Sequence, residues 1–159
     1  MSTTFTDQSG ANLAGLDLRR KDLMKHDFTR ADLSNARMRS ANLSESVFAS
    51  ANLMGANLTC ADLSDAQLHF ANMWATNLTG ADLTDAYIRD ANMQYANLTS
   101  ADLTGADLRG TDLRDANFTD AILTGADFSG AKLNLSALRT IIERVSAEHG
   151  SNLNGAVIV

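Results

Sequence analysis

The stretch Thr76–Leu108, TNLTGADLTDAYIRDANMQYANLTSADLTGADL, puts a large apolar residue at every fifth position: Leu78, Leu83, Ile88, Met93, Leu98, Leu103 and Leu108. Take that residue as the centre of a unit. Position −2 is then mostly Ala, and position −1 is Asp or Asn in most units. In an α-helix successive centres would step about 140° around the axis and share no face. An unbroken strand fails as well, because side chains alternate with period two and an odd repeat flips the apolar face at every unit. Positions −2 and centre are two apart, so on a short extended segment they point the same way. The chain must therefore turn once per unit, at +1 and +2, where Ser, Thr, Gly, Asp and Asn collect. Short extended sides joined by regular turns make a coil, and stacked coils make an all-β solenoid.

The register holds from Leu13 to Leu133 without a slip, giving 25 units, of which 19 have Ala at −2 and 19 have Asp or Asn at −1. Position −1 also shows how many sides make a coil. It reads Asn52, Asn57, Asp62, Gln67, then Asn72, Asn77, Asp82, Tyr87, then Asn92, Asn97, Asp102, Asp107. A recurrence every 20 residues means four sides per coil, with like residues stacked. Tandem A(D/N)LXX units over residues 11–135 resemble the pentapeptide-repeat proteins. The resemblance implies a right-handed quadrilateral β-helix of about six coils. A segment 1–10 precedes it; a capping helix 136–150 and a repeat-like tail 151–159 follow it.

In such a coil the centres fill a narrow interior and the alanines sit near its corners. Lys21 and His26 stand at −2 in the first coil, where an unpaired charge cannot stay buried. That coil is therefore read as an open end. Ser46, Thr76 and Thr111 also stand at −2 and fit inside if their hydroxyls bond to backbone. Asn57, Asn77, Asn97 and Asn117 form one column and are expected to build an amide ladder. Leu138, Ile141, Ile142 and Val145 follow i, i+3, i+4, i+7, the stripe of an amphipathic helix, with Ser136 as N-cap and Gly150 as stop. The helix closes the last coil, and the tail resumes the repeat at Leu153 and Ile158. By the same resemblance, a homodimer through the C-terminal end is expected.

No constellation points to catalysis, a metal or a cofactor. Cys60 is the only cysteine and falls on an outward corner with no His assigned beside it; His26, His69 and His149 are scattered. No Gly-rich loop opens a helix to cradle phosphate. The chain has 159 residues and net charge −6, which disfavours direct nucleic-acid binding. No run approaches a membrane span and the N-terminus lacks a secretory pattern, so the expected location is the cytoplasm.

What remains is the outer surface. His69, Phe70, Trp74, Tyr87, Arg89 and Tyr95 face outward on two adjoining sides and make the candidate contact patch. Glu45, Asp62, Asp65, Asp82, Asp85 and Asp102 form an acidic side, which also serves turn amides. The basic cluster Arg19, Arg20, Arg37 and Arg39 is read as solvated and charge-balancing. The expected function is a non-enzymatic scaffold that presents rigid walls to another protein. The alternative implied by the family is a DNA mimic acting on DNA gyrase or a related topoisomerase. It draws on the acidic middle, where residues 41–130 carry three Arg against twelve Asp and Glu.

Overall fold

The computed structural model describes residues 6–145 and 155–158, with backbone alone for 142–145. Parallel bridges link residues 20 apart, from Asp7↔Asp27 through Asp112↔Lys132. Each falls on position −1, so one residue per side pairs before the chain turns. Four columns result. Asn52, Asn72 and Asn92 stack on one side and Asn57, Asn77 and Asn97 on the next. Asp62, Asp82 and Asp102 stack on the third, and Val47, Gln67 and Tyr87 on the fourth.

Where Asp or Asn stands at −1, every backbone amide of the unit has a defined destination. In the unit 81–85, Ala81 N–H bonds the turn carbonyl of Leu78 (2.9 Å) and Asp82 N–H bonds Ala61 in the coil below (3.0 Å). Leu83 and Asp85 donate to Asp102 (2.7 Å) and Thr104 (2.9 Å) in the coil above. The fifth amide, on Thr84, goes to the Asp82 side chain at 2.9 Å. Asp or Asn recurs at −1 because it accepts the one donor that the ladder leaves over.

The corners carry a backbone cost. Every +2 residue from Gly10 to Gly130 has φ between 52° and 72°. Together with the bond from the next −2 amide to the centre carbonyl, this is type II turn geometry, which favours Gly. Non-glycine residues nonetheless occupy 17 corners, among them Phe70, Ala75 and Tyr95.

The centres from Phe28 to Leu133 are buried, as are the −2 alanines between them. Ser46, Thr76 and Thr111 are buried too, and each hydroxyl donates to the centre carbonyl of the coil below: Leu23 (2.8 Å), Leu53 (2.9 Å) and Ile88 (2.7 Å). The first coil is open as expected. Leu16 and Lys21 are exposed, Leu13, Leu18 and Leu23 only partly covered, and the His26 ring stacks on Phe28 at 5.9 Å.

Three details differ from the sequence reading. The repeat starts earlier than residue 11: residues 6–10 form a further side, with Asp7 bridging Asp27 and Gln8 at the centre position. A polar centre is tolerated there because the end is open to water. The helix α1 spans Leu135–Val145, and its N-cap is Asn134 rather than Ser136. Asn134 Oδ1 accepts the Ala137 amide (3.1 Å) and its carbonyl accepts that of Leu138 (2.9 Å). Gly150 and Leu153 lie outside the described residues. The amide ladder runs not through Asn57, Asn77 and Asn97 but through the neighbouring column, where Asn52 Nδ2 donates to Asp32 (3.0 Å) and Asn72 Nδ2 to Asn52 (3.1 Å). The reason is the +1 residue. Thr59, Thr79 and Thr99 donate their hydroxyls to the adjacent Asn Oδ1 at 2.6–2.7 Å, whereas Met54 and Trp74 have none to give. The tail does resume the repeat at Ile158: β1 (Lys132–Leu133) runs parallel to β2 (Val157–Ile158), in the register Lys132↔Val157 and Leu133↔Ile158.

Candidate partner-binding surface

The rigid column fixes each outward side chain. His69 and Arg89 occupy the same +1 column one coil apart, held by the bond from Phe70 N–H to the Arg89 carbonyl (2.9 Å). With Gln67, Phe70, Tyr87 and Asp90 they line an open groove of about 660 Å³. Its aromatic walls are exposed: 60% for Phe70 and 52% for Tyr87. The Phe70 ring meets His69 edge-on at 5.8 Å. Arg89 Nε is fixed by Asp107, which also holds Arg109 at 2.8 Å. Trp74 and Tyr95 form a separate pair on the adjoining side, ring centroids 5.7 Å apart and edge to face. The six sequence candidates thus fall into two clusters. Gln67 and Asp90 were missed, although the 20-residue stacking puts Gln67 directly under Tyr87 and Asp90 above Phe70.

The acidic side is a real column, with Asp62, Asp82 and Asp102 bridged in sequence. Each accepts the amide two residues on, at 2.9–3.0 Å, and Asp62 and Asp102 also take the hydroxyls of Ser64 and Thr104. Of the six acidic candidates, Glu45 alone has a cationic partner among the described residues, Lys25 at 3.2 Å. At the other end Asp17 binds Arg19 (2.7 Å) and Arg37 (3.4 Å). The Arg19 guanidinium and amide hold the Asp17 carboxyl well below its ordinary range, and Arg114 lowers Asp112 in the same way. On α1, Ile141 is buried and Leu138 partly buried against the core. The side chains of Ile142 and Val145 lie outside the described residues. Cys60 is exposed, and no group of His, Cys, Asp or Glu among the described residues is placed to hold a metal. No helix among them is long and apolar enough to cross a membrane.

Known proteins share this architecture. HetL, a pentapeptide repeat protein involved in heterocyst differentiation regulation in the cyanobacterium Nostoc sp. strain PCC 7120, is 25% identical. It aligns over 96% of this chain and 80% of its own with a TM-score of 0.69. A pentapeptide repeat protein from the Arabidopsis thaliana thylakoid lumen is 27% identical, over 85% of this chain and 81% of its own, with a TM-score of 0.53. QnrB1, a plasmid-mediated fluoroquinolone resistance protein in its trypsin-treated form, shares the fold at 21% identity, 90% and 77% coverage and a TM-score of 0.51. No curated protein matches by sequence. The sequence model of pentapeptide repeats matches residues 9–44, 37–74, 66–105 and 96–134. With its five-residue units, four-sided coils and this match along most of its length, the chain belongs to the pentapeptide repeat family.

Proposed function

We propose that the chain is a non-enzymatic interaction module: a right-handed quadrilateral β-helix of about six coils, capped by α1, that docks a protein partner on its aromatic sides. The observation that carries this reading is the placement of Phe70 and Tyr95. Both occupy left-handed corners, at φ 59° and 60°, while remaining 60% and 54% exposed. A bulky residue there bears backbone strain of about 1–2 kcal/mol and recovers little by packing. The same columns hold Ser50 and Gly110, or Gly55 and Asp115, at other levels, so the backbone does not require an aromatic. Exposed aromatics beside an arginine are the groups in which binding energy concentrates. The Trp74→Ser/Tyr95→Ser double variant, and separately Phe70→Asn, should lose the partner retained from native cell extract, with melting temperature unchanged or, for Phe70→Asn, raised. Retention of the same partner by both variants rejects the reading.

The alternative, a DNA mimic acting on gyrase, is favoured by the acidic column, whose Asp62, Asp65, Asp82, Asp85 and Asp102 have no cationic partner among the described residues. A supercoiling assay tests it: inhibition or protection lost on Asp65→Asn/Asp85→Asn supports it, and an indifferent gyrase removes it. A homodimer at the C-terminal end would use Leu135, which is 77% exposed, with Val157 and Ile158, because Ile141 is already buried. Light scattering of the chain with and without residues 136–159 distinguishes monomer from dimer.

A further inference from the structure

Where position −1 is Asp or Asn, its side-chain oxygen takes the +1 amide, as Asp82 does for Thr84 and Asp102 for Thr104, both at 2.9 Å. The rule fails where −1 is another residue: Arg37 leaves the Arg39 amide without an acceptor among the described residues, and one column carries three such residues in succession. It reads Asp27, Val47, Gln67, Tyr87, Asp107. Val47 and Tyr87 offer no such acceptor, and the Gln67 carbonyl sits one carbon farther out. The amides of Thr29 and Arg109, at the two ends, are satisfied by Asp27 (2.8 Å) and Asp107 (3.3 Å). Between them, among the described residues, the amides of Ala49, His69 and Arg89 have no acceptor. They share the backbone geometry of the other sides, so they point outward, about 4.8 Å apart up the wall. Two of these residues, His69 and Arg89, line the aromatic groove.

A row of aligned amides beside an imidazole suits an oxygen anion, although the Arg89 guanidinium is held by Asp107 and Asp90 stands on the groove's wall. Charge-assisted bonds to a carboxylate are roughly twice as strong as neutral ones. A long polyanion is a poorer match. Residues 41–130 carry a net −9, three Arg against twelve Asp and Glu, which repels extended negative charge, whereas one carboxylate seated in the groove is short enough to avoid most of it.

We propose that this side binds an extended segment of the partner protein that carries a single Asp or Glu, whose carboxylate takes the place that the chain's own Asp or Asn fills elsewhere. It accepts the amides of His69 and Arg89 while Phe70 and Tyr87 flank it. The proposal rests on the interaction-module reading and adds the chemistry of the partner.

The test titrates the 15N-labelled full chain with three blocked tripeptides, acetyl-Ala-Asp-Ala-amide and its Asn and Ala counterparts, following amide chemical shifts. The Asp peptide should move the His69 and Arg89 signals saturably, the Asn peptide about tenfold more weakly, and the Ala peptide not at all. Equal responses to all three, equal responses to Asp and Asn, or no response at these two amides overturns the proposal. Gln67→Asn supplies the missing internal acceptor and leaves every aromatic in place. In that variant the His69 amide should exchange more slowly with solvent and stop responding to the Asp peptide. If it still responds although its exchange has slowed, the amide is not the contact and the proposal fails. If instead Phe70→Asn and Trp74→Ser/Tyr95→Ser both retain the partner, the interaction-module reading itself fails, whatever the peptide result.

Discussion

Leu83→Ala tests the closed shaft directly. Leu83 is fully buried, and the coils above and below are fixed by the bonds from Leu63 N–H to Asp82 and from Leu83 N–H to Asp102, both 2.7 Å. Truncation removes three carbons, worth about 2.4 kcal/mol at ~0.8 kcal/mol per buried group. The cavity term adds on the order of 1–2 kcal/mol when surrounding atoms cannot move in. Here the ladder prevents two coils from approaching, so the expected loss is about 4 kcal/mol, high in the range for such substitutions. Leu13→Ala removes the same atoms at the open end, where Leu13 is only partly covered and water fills the space. It should cost about 1 kcal/mol. Urea unfolding at equilibrium reads both as midpoint shifts at constant slope. Equal costs for the two variants, or less than about 1 kcal/mol for Leu83→Ala, would refute the rigid four-walled interior.

Asn134→Ala should destabilise by about 1 kcal/mol through loss of the helix cap, and Ser136→Ala by less than about 0.5 kcal/mol. The reverse order in urea melts would put the cap back at Ser136. Acid should destabilise the protein through named carboxylates. Arg19 holds Asp17 below its ordinary value of 3.8, the Ser34 amide does the same for Asp32, and Arg114 for Asp112. Their charged forms favour the fold, so this contribution is complete above about pH 4 and is lost as pH falls through the depressed range. Thermal midpoints should be level from about pH 7 to 5 and drop below 4, with a smaller drop in Asp112→Asn. A wild-type midpoint that rises on acidification contradicts the assignment.

Periodicity made most of the fold legible. A centre every fifth residue required one turn per unit, and the recurrence at −1 gave four sides. The hydroxyls of Ser46, Thr76 and Thr111 went where burial demanded, onto backbone carbonyls. Reading failed where one position had two uses. Asn57 Oδ1 accepts both an amide and the Thr59 hydroxyl, which moved the ladder to the next column. Asn134 looked like the +1 residue of a last unit but caps α1 and also bonds Asp115 through Nδ2 (2.6 Å). Gln8 hid the first side because its centre is polar, although Asp7 before it and Gly10 after it kept the pattern. The groove was half legible: its aromatics stood out by register, while the open amides of His69 and Arg89 follow from the hydrogen-bond ladder, which the repeat pattern alone does not display.

Coiling turns sequence distance into height. Losing a single residue would swing every later leucine from the shaft to the water, which no local repair can absorb. Losing five would keep the shaft filled and turn all later walls by a quarter, and losing 20 would shorten the tower by one storey. The tail keeps the five-residue phase: Val157 stacks on Lys132 after 25 residues where the coils use 20, so the stretch between them, which includes α1, takes up one extra unit of five. Lengthening or shortening such a protein without dissolving it is therefore a matter of counting in fives.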